Sequence, residues 1–235
     1  MQAVKAWLKE SPSPVAKQLM NAINRIRFAQ FPVIGVVHKP LYWLHVNSIN
    51  LLANISRSLY WTPLFKSRLR QCGDRFYLYS GMPLVLGKLD ISIGNNTRMS
   101  GISTLCGRSC AQQTPQLIIG DNVDVGWQNT LAVGSRIVLG NNVRLAGKVF
   151  LAGFPGHPLN AADRAAGLPE TDDQVGDIVL EDDVWLATGV TVMAGVTIGR
   201  GSVVAAGSVV TRNIPAGVIA AGVPAVVVKP IASEH

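Results

Sequence analysis

Acidic residues are almost missing from the first 70 positions of this 235-residue chain, where five Lys and five Arg face the single Glu10. Charge of either sign is scarce throughout, at 15% against about 25% in ordinary globular domains, while 48% of residues are hydrophobic. That balance excludes broad disorder. Cysteine is limited to Cys72, Cys106 and Cys110, with no C-x-x-C pair, so the three read as free thiols rather than a disulfide framework. Long apolar runs are also lacking. The longest charge-free stretch, Pro40 to Ser56, carries His45, Asn47, Asn50 and Asn54 and falls short of the ~20 mostly apolar residues of a spanning helix. Met1 to Asn24 alternates Lys, Ser and Pro with apolar residues and has no continuous apolar core of the kind a signal peptide needs. A cytoplasmic protein without a transmembrane helix is expected.

The formal charge of +7 is divided as +9 over residues 1–70 and −2 over the remainder. A basic segment that also holds Trp and Leu reads as a part that touches an anionic surface, such as a membrane, a lipid-linked sugar phosphate or nucleic acid.

What the sequence has in abundance is a period of six. Leu180, Leu186, Val192, Ile198, Val204 and Val210 follow one another at that spacing without a miss. Four positions after each stand Val184, Val190, Val196, Ser202, Ser208 and Ile214. The same spacing links Ile119, Val125, Leu131 and Ile137, then shifts by two into Leu139, Leu145 and Leu151; Ile93, Met99 and Leu105 form an earlier, weaker run. A helix repeats its apolar face near 3.6 and a surface strand repeats at 2. A β-sandwich places its turn signals every 8–12 residues. Six residues instead make one short strand and a corner, and three such hexads make a triangular coil of 18. One coil cannot bury its own apolar face, so stability accrues only as coils stack.

Two interruptions break the repeat, at Gly107 to Gln116 and at Phe154 to Asp177. Loops ejected from a rigid scaffold are where binding and catalysis concentrate. The second contains His157, the one histidine of the repeat region. Ahead of the repeats, Val15, Leu19, Ala22, Ile23 and Ile26 have helical spacing over Val15 to Phe28. A second helical stretch is expected over Leu41 to Arg70, broken near Pro63, with Trp43, Tyr60, Trp61 and Phe65 interleaved with Arg57, Lys66, Arg68 and Arg70. Aromatic and basic residues together suit a membrane interface; a helical cap over the open first coil is the alternative. The expected organisation is a basic helical segment at 1–72, a β-helix at 73–230 with an extruded loop at 154–177, and a tail at 231–235.

The stretch Ile178 to Val228 closely resembles the end of the hexapeptide-repeat acyltransferases, nearest to the maltose and galactoside O-acetyltransferases and their polysaccharide-modifying relatives. The resemblance covers about residues 75–230 and rests on Gly156-His157-Pro158-Leu159, Val184-Trp185, Gly195-Val196-Thr197-Ile198-Gly199, Ala206-Gly207-Ser208-Val209-Val210-Thr211 and Ala221-Gly222-Val223-Pro224-Ala225, in that order. It implies a mainly β fold, a left-handed parallel β-helix with an N-terminal helical segment. It also implies a homotrimer, active sites between neighbouring subunits, acetyl-CoA as donor and no required metal.

By that resemblance His157 matches the catalytic histidine, a general base that deprotonates the acceptor hydroxyl for direct transfer. The chemistry suits the residue, because a sugar hydroxyl is a poor nucleophile at neutral pH and imidazole titrates near it. Trp127, Gln128 and Asn129 lie where relatives contact the acceptor or the thioester carbonyl. Asn160 stands where relatives carry Asp, with Asp163 or Arg164 as compensating groups, and Val133 replaces a sugar-binding acid, which argues against galactosides and maltose. For the donor, Trp185, Ala187 and Thr188 would line the pantetheine channel, Ala205 and Ala206 would admit the arm, and Thr211, Arg212 and Lys229 would face its amide and phosphates.

The function expected is acetyl-CoA-dependent O-acetylation of a saccharide, an exopolysaccharide or lipopolysaccharide precursor at the inner membrane face. N-acetylation of a nucleotide sugar and a non-catalytic solenoid scaffold are the alternatives. A γ-type carbonic anhydrase needs three histidines around Zn²⁺, whereas His38, His45 and His235 all fall outside the repeats. Nucleic-acid binding is not expected, since the repeat portion is net negative.

Overall fold

The computed structural model describes residues 2–231; Met1 and the tail from residue 232, His235 included, lie outside the described residues. The chain divides into two compact units after Asn50. In the first, helices Gln2–Glu10 and Pro14–Arg27 pack on each other around the buried Leu8 and Ala16. The helix Gly35–Ser56 begins earlier than the sequence suggests and carries Pro40 inside it. Ahead of Pro63 the chain makes a π turn at Arg57–Trp61 before helix Thr62–Arg68. Proline has no N–H to give to a carbonyl one turn back, and a local widening absorbs that missing bond. No helix among the described residues is long and apolar enough to cross a membrane.

From Gln71 onward the short strands fall in rotation into three sheets. The first sheet holds Gln71–Cys72, Asp90–Ile93, Gln116–Ile119, Arg136–Leu139, Ile178–Leu180 and Thr197–Ile198. The second runs from Tyr77–Tyr79 to Val203–Val204 and ends in the pair Val218–Gly222 and Ala225–Pro230; the third runs from Leu84–Leu86 to Val209–Val210. All neighbours are parallel except that last pair. This is the three-sided coil expected of the six-residue period, and the fold is a left-handed parallel β-helix.

Inward side chains stack in columns along each sheet. Leu105, Leu131, Leu151, Val192 and Val210 form one, with each residue paired in register to the next and all of them fully buried. Regular coils hold 18 residues, as between Asp182 and Arg200. The coil from Asp121 to Asn141 holds 20, because Arg136–Leu139 turns both Ile137 and Leu139 inward, against Leu117 and Ile119. That explains the two-residue shift of phase in the sequence. The two loops lengthen their coils to 26 and 41 residues without disturbing the pairing on either side.

The edge between the first and second sheets is a ladder of short polar side chains. Asn96, Asn122, Asn142 and Asp183 all adopt positive φ, a conformation these residues tolerate better than most. Beside them, Asn95 Oδ1 accepts from Asp74 N, Asp121 Oδ1 from Asn95 N, Asn141 Oδ1 from Asp121 N and Asp182 Oδ1 from Asn141 N, at 2.6–2.9 Å. Each corner thus satisfies the backbone of the one before it. At the start of the stack, Phe65 of helix Thr62–Arg68 is buried against Phe76, with ring centroids 5.9 Å apart, and Trp61 and Leu69 pack on the same core. This last helix covers the first coil.

Two substitutions test the packing. Leu151→Ala, in the middle of a column, is expected to lower stability in urea unfolding by about 2–5 kcal/mol. A Cβ at Gly101 falls 2.1 Å from backbone atoms of Gly81, whereas one at Gly35 meets nothing within 4 Å. Gly101→Ala is therefore expected to cost about 1–3 kcal/mol or more, while Gly35→Ala is neutral or stabilising by up to about 1 kcal/mol.

Candidate functional site

The residues singled out in the sequence sort onto different edges of the prism. At the edge between the second and third sheets, successive coils stack corner on corner. Gln128 N donates to Ile102 O, Lys148 N to Trp127 O, Gly189 N to Gly147 O and Gly207 N to Thr188 O, at 2.7–3.0 Å. Trp127, Gln128, Thr188 and Ala206 are exposed along this column, with Ala187 and Ala205 just before its corners. Gln128 holds positive φ, and the Lys148 ammonium sits 5.5 Å from the Trp127 ring centroid. Trp185 lies on the adjoining outer face of the second sheet, half exposed and in register with Arg144 and Val203. A Cβ at Gly207 meets nothing within 4 Å, so this edge has open space beside its small residues.

His157 leaves from a different edge. Its loop joins Phe150–Ala152 of the third sheet to Ile178–Leu180 of the first, and Thr211 and Arg212 follow Val209–Val210 at the same edge. Lys229 is exposed on the last strand, opposite Ile219. Gly156 takes positive φ, Pro158 is buried, and His157 between them is exposed. Among the described residues nothing hydrogen-bonds its imidazole. The turn is held from behind: Arg164 Nη1 donates to Pro158 O at 3.0 Å and also to Leu159 O.

Two expected site residues hydrogen-bond to the backbone. Asn129 is buried, donating to Gly126 O at 3.1 Å and accepting from Val149 N at 2.7 Å. Its side chain closes a corner through these two bonds. Asn160 caps the short helix Ala161–Ala165, with Oδ1 accepting from Ala162 N and Asp163 N; this requirement for an N-cap acceptor is met by Asn as well as by Asp.

Sequence reasoning missed the residues that tie the two loops together. Arg108, 7% exposed, donates from Nε to Glu170 Oε1 at 2.6 Å, from Nη1 to Asp172 Oδ1 and from Nη2 to Glu170 O at 2.9 Å. The Cys110 thiol approaches Glu170 Oε1 at 3.3 Å. Burial works against the charge on Arg108, but bonds to Asp172 and Glu170 prevail and raise its pKa. Burial likewise opposes ionisation of Glu170, yet the Arg108 bond and a backbone donor hold its carboxyl below the usual value. A lowered native pKa contributes stability above the ordinary carboxylate range, lost as the pH falls through the native value. Burial and the neighbouring Glu170 push the Cys110 thiol up, and burial alone does so for Cys106. Beneath the two loops lies a polar cavity of about 500 Å³ lined by Arg108, Gln112, Thr114, Ser135, Arg136 and Asp177. A break in the period marks both loops, but no spacing links positions 62 residues apart.

Comparison with known proteins agrees with this geometry. Residues 177–212 match the family model described as bacterial transferase hexapeptide (six repeats). "Putative acetyltransferase YJL218W" of Saccharomyces cerevisiae is 37% identical over 118 residues, or 50% of this chain and 58% of that protein. The chain thus matches little more than half the length of that relative. Among solved structures, AntD, an N-acyltransferase from Bacillus cereus, superposes with a TM-score of 0.59 as a variant in complex with dTDP-4-amino-4,6-dideoxyglucose and coenzyme A. Sequence identity there is 21%, and the match covers 73% of this chain and 89% of AntD. The complex of AntD with dTDP and 3-hydroxybutyryl-CoA gives 0.58 at 17% identity, covering 73% and 88%. The matched segment lies within the stacked coils, and the likeness to these solved structures is one of fold, the left-handed parallel β-helix described above.

Proposed function

We propose that this chain is an acetyl-CoA-dependent acetyltransferase that modifies a hydroxyl of a saccharide, with His157 as general base and no acyl-enzyme. The observation that carries the reading is the placement of an exposed histidine, on a turn anchored by Arg164, at one edge of a prism whose other edge is an open column of small residues. Because the two edges of one copy are separate, a site that uses both takes His157 from one subunit and the column from its neighbour. A homotrimer with three such grooves satisfies this.

Acetyl-CoA fits the donor side through its shape and charge. Its pantetheine arm has room beside Ala187, Ala205 and Ala206, Trp185 offers an apolar wall, and the exposed Lys229, with the exposed Arg212 from the His157 edge of the neighbouring copy, supplies cations for phosphates. The donor supplies the activated acyl group. His157 takes the proton from the acceptor hydroxyl as its oxygen bonds to the thioester carbonyl carbon; the C–S bond breaks, and the proton passes to the leaving thiolate.

Residues 1–70 extend the reading to the membrane face where glycan precursors are assembled. Helix Pro14–Arg27 exposes Val15, Leu19, Ile23 and Ile26 at helical spacing, alongside Lys17, Arg25 and Arg27. A basic helix with an exposed apolar face suits peripheral contact with an anionic lipid surface, in keeping with a cytoplasmic protein acting on an exopolysaccharide or lipopolysaccharide precursor.

His157→Ala is expected to lower acetyl transfer by about 10²- to 10⁴-fold with unchanged melting, measured as CoA release against a panel of glycans and nucleotide amino sugars. A fully active variant refutes the role of His157. Turnover confined to the amino sugars replaces the hydroxyl by an amine as nucleophile, and failure to bind acetyl-CoA at millimolar concentration makes the chain a scaffold.

A further inference from the structure

The loop that carries His157 is long, and most of it is held only by itself. Asn160 caps its helix, Arg164 ties Pro158 and Leu159, and Thr171 donates from N and Oγ1 to Gln174 Oε1 at 3.1 and 3.0 Å. Side-chain hydrogen bonds from this loop to the rest of the chain, among the described residues, occur at two places. At its base Asp177 accepts from Ser135 Oγ at 2.6 Å and from Arg136 at 2.8 Å. Farther out, Glu170 and Asp172 accept from Arg108, and Glu170 also faces Cys110.

Arg108 is well suited to be the fixed end of that contact. Its own amide donates to Val133 O at 3.0 Å, directly on the paired strand Thr130–Val133 of the rigid coil. Its guanidinium then spends three donors on the other loop, in the fork geometry that lysine cannot reproduce. Glu170 is 5% exposed at its side chain, so the pair is not a fluctuating surface contact. Charges so buried are costly to leave unpartnered, which favours the joined arrangement of the two loops over any separated one.

We propose that Arg108, Glu170 and Asp172 form a clamp by which the first loop positions the His157 loop, making Arg108 a positioning residue for transfer although it lies outside the acyl-donor column and the His157 turn. The catalytic part of this inference rests on the transferase reading above; the clamp itself does not. It gives the first interruption of the repeat a role, since among the described residues the other side chains that hydrogen-bond to Glu170, those of Arg108 and Cys110, both belong to it.

The loop contains one basic residue, Arg164, which is exposed, so trypsin reports on its freedom at a single bond. In the full chain, Arg108→Gln is expected to accelerate cleavage after Arg164 about tenfold or more. It should also lower kcat by about 10- to 100-fold through misplacement of the base, leave KM for acetyl-CoA within about twofold and keep the circular dichroism of the β-helix. Glu170→Gln should act in the same direction, the double variant should be no worse than the more damaged single one, and Arg108→Lys should recover only part of the loss. Should Arg108→Gln not fold, Asp172→Asn, at the exposed end of the clamp, carries the same two measurements. Wild-type cleavage rates in the folded variants overturn the clamp, and an unchanged kcat in a variant whose loop is freed overturns its positioning role. If the unaltered chain transfers no acetyl group, the transferase reading fails and the cleavage rates still decide the clamp.

Discussion

A flat six-residue rung has an apolar side chain on its inner side and unpaired amides above and below, and neither is tolerable in isolation. Stacking resolves both at once. Every strand from Asp90 to Val204 finds main-chain partners on its two sides, and each inward Leu, Ile or Val rests on its counterparts in the coils before and after it. Because that interaction is local and repeats, the scaffold is insensitive to what happens at a corner. The coil can eject 8 or 23 extra residues, the excess of 26 and 41 over 18, and resume in register. Rigid sides and permissive corners together let a long loop be attached without disturbing the strand pairing on either side.

The corners divide the labour. One edge is given over to Asn and Asp whose side chains cap the backbone of the preceding turn, a structural ladder of left-handed residues. A second is lined by small and aromatic side chains and stays open. The third launches both loops. In the homotrimer proposed above, three dissimilar edges would let one copy offer His157 and its neighbour the open column.

Much of this was readable in the one-dimensional pattern because the inward residues are set by period alone. Leu180, Leu186, Val192, Ile198, Val204 and Val210 are all fully buried, as the spacing requires. The resemblance of residues 156–225 likewise directed attention to His157 and to the corner residues Thr188 and Ala206. Side-chain commitments were less legible. Asn129 and Asn160 read as polar groups free to bind, yet the side-chain oxygen of each accepts from backbone amides that are in place only when the corner or helix exists. Arg108 and Glu170 were silent for a different reason: their contact joins two aperiodic loops, and the distance along the chain between such loops obeys no rule. Helix Gly35–Ser56 begins ahead of Pro40, which lies in its second turn and forgoes one backbone bond, that to the carbonyl of Val36.

The end of the stack has its own logic. After Val218–Gly222 the chain reverses, and Ala225–Pro230 lies antiparallel along the outer side of the second sheet, from Gly222 opposite Ala225 to Val218 opposite Pro230. A parallel ladder would otherwise present a bare row of amides and carbonyls, a template onto which the first coil of another molecule could graft. Running the final strand backwards fills that row with a partner of the wrong polarity for further growth. Together with Phe65 at the opposite extremity, this makes the solenoid a counted object rather than the seed of a fibre.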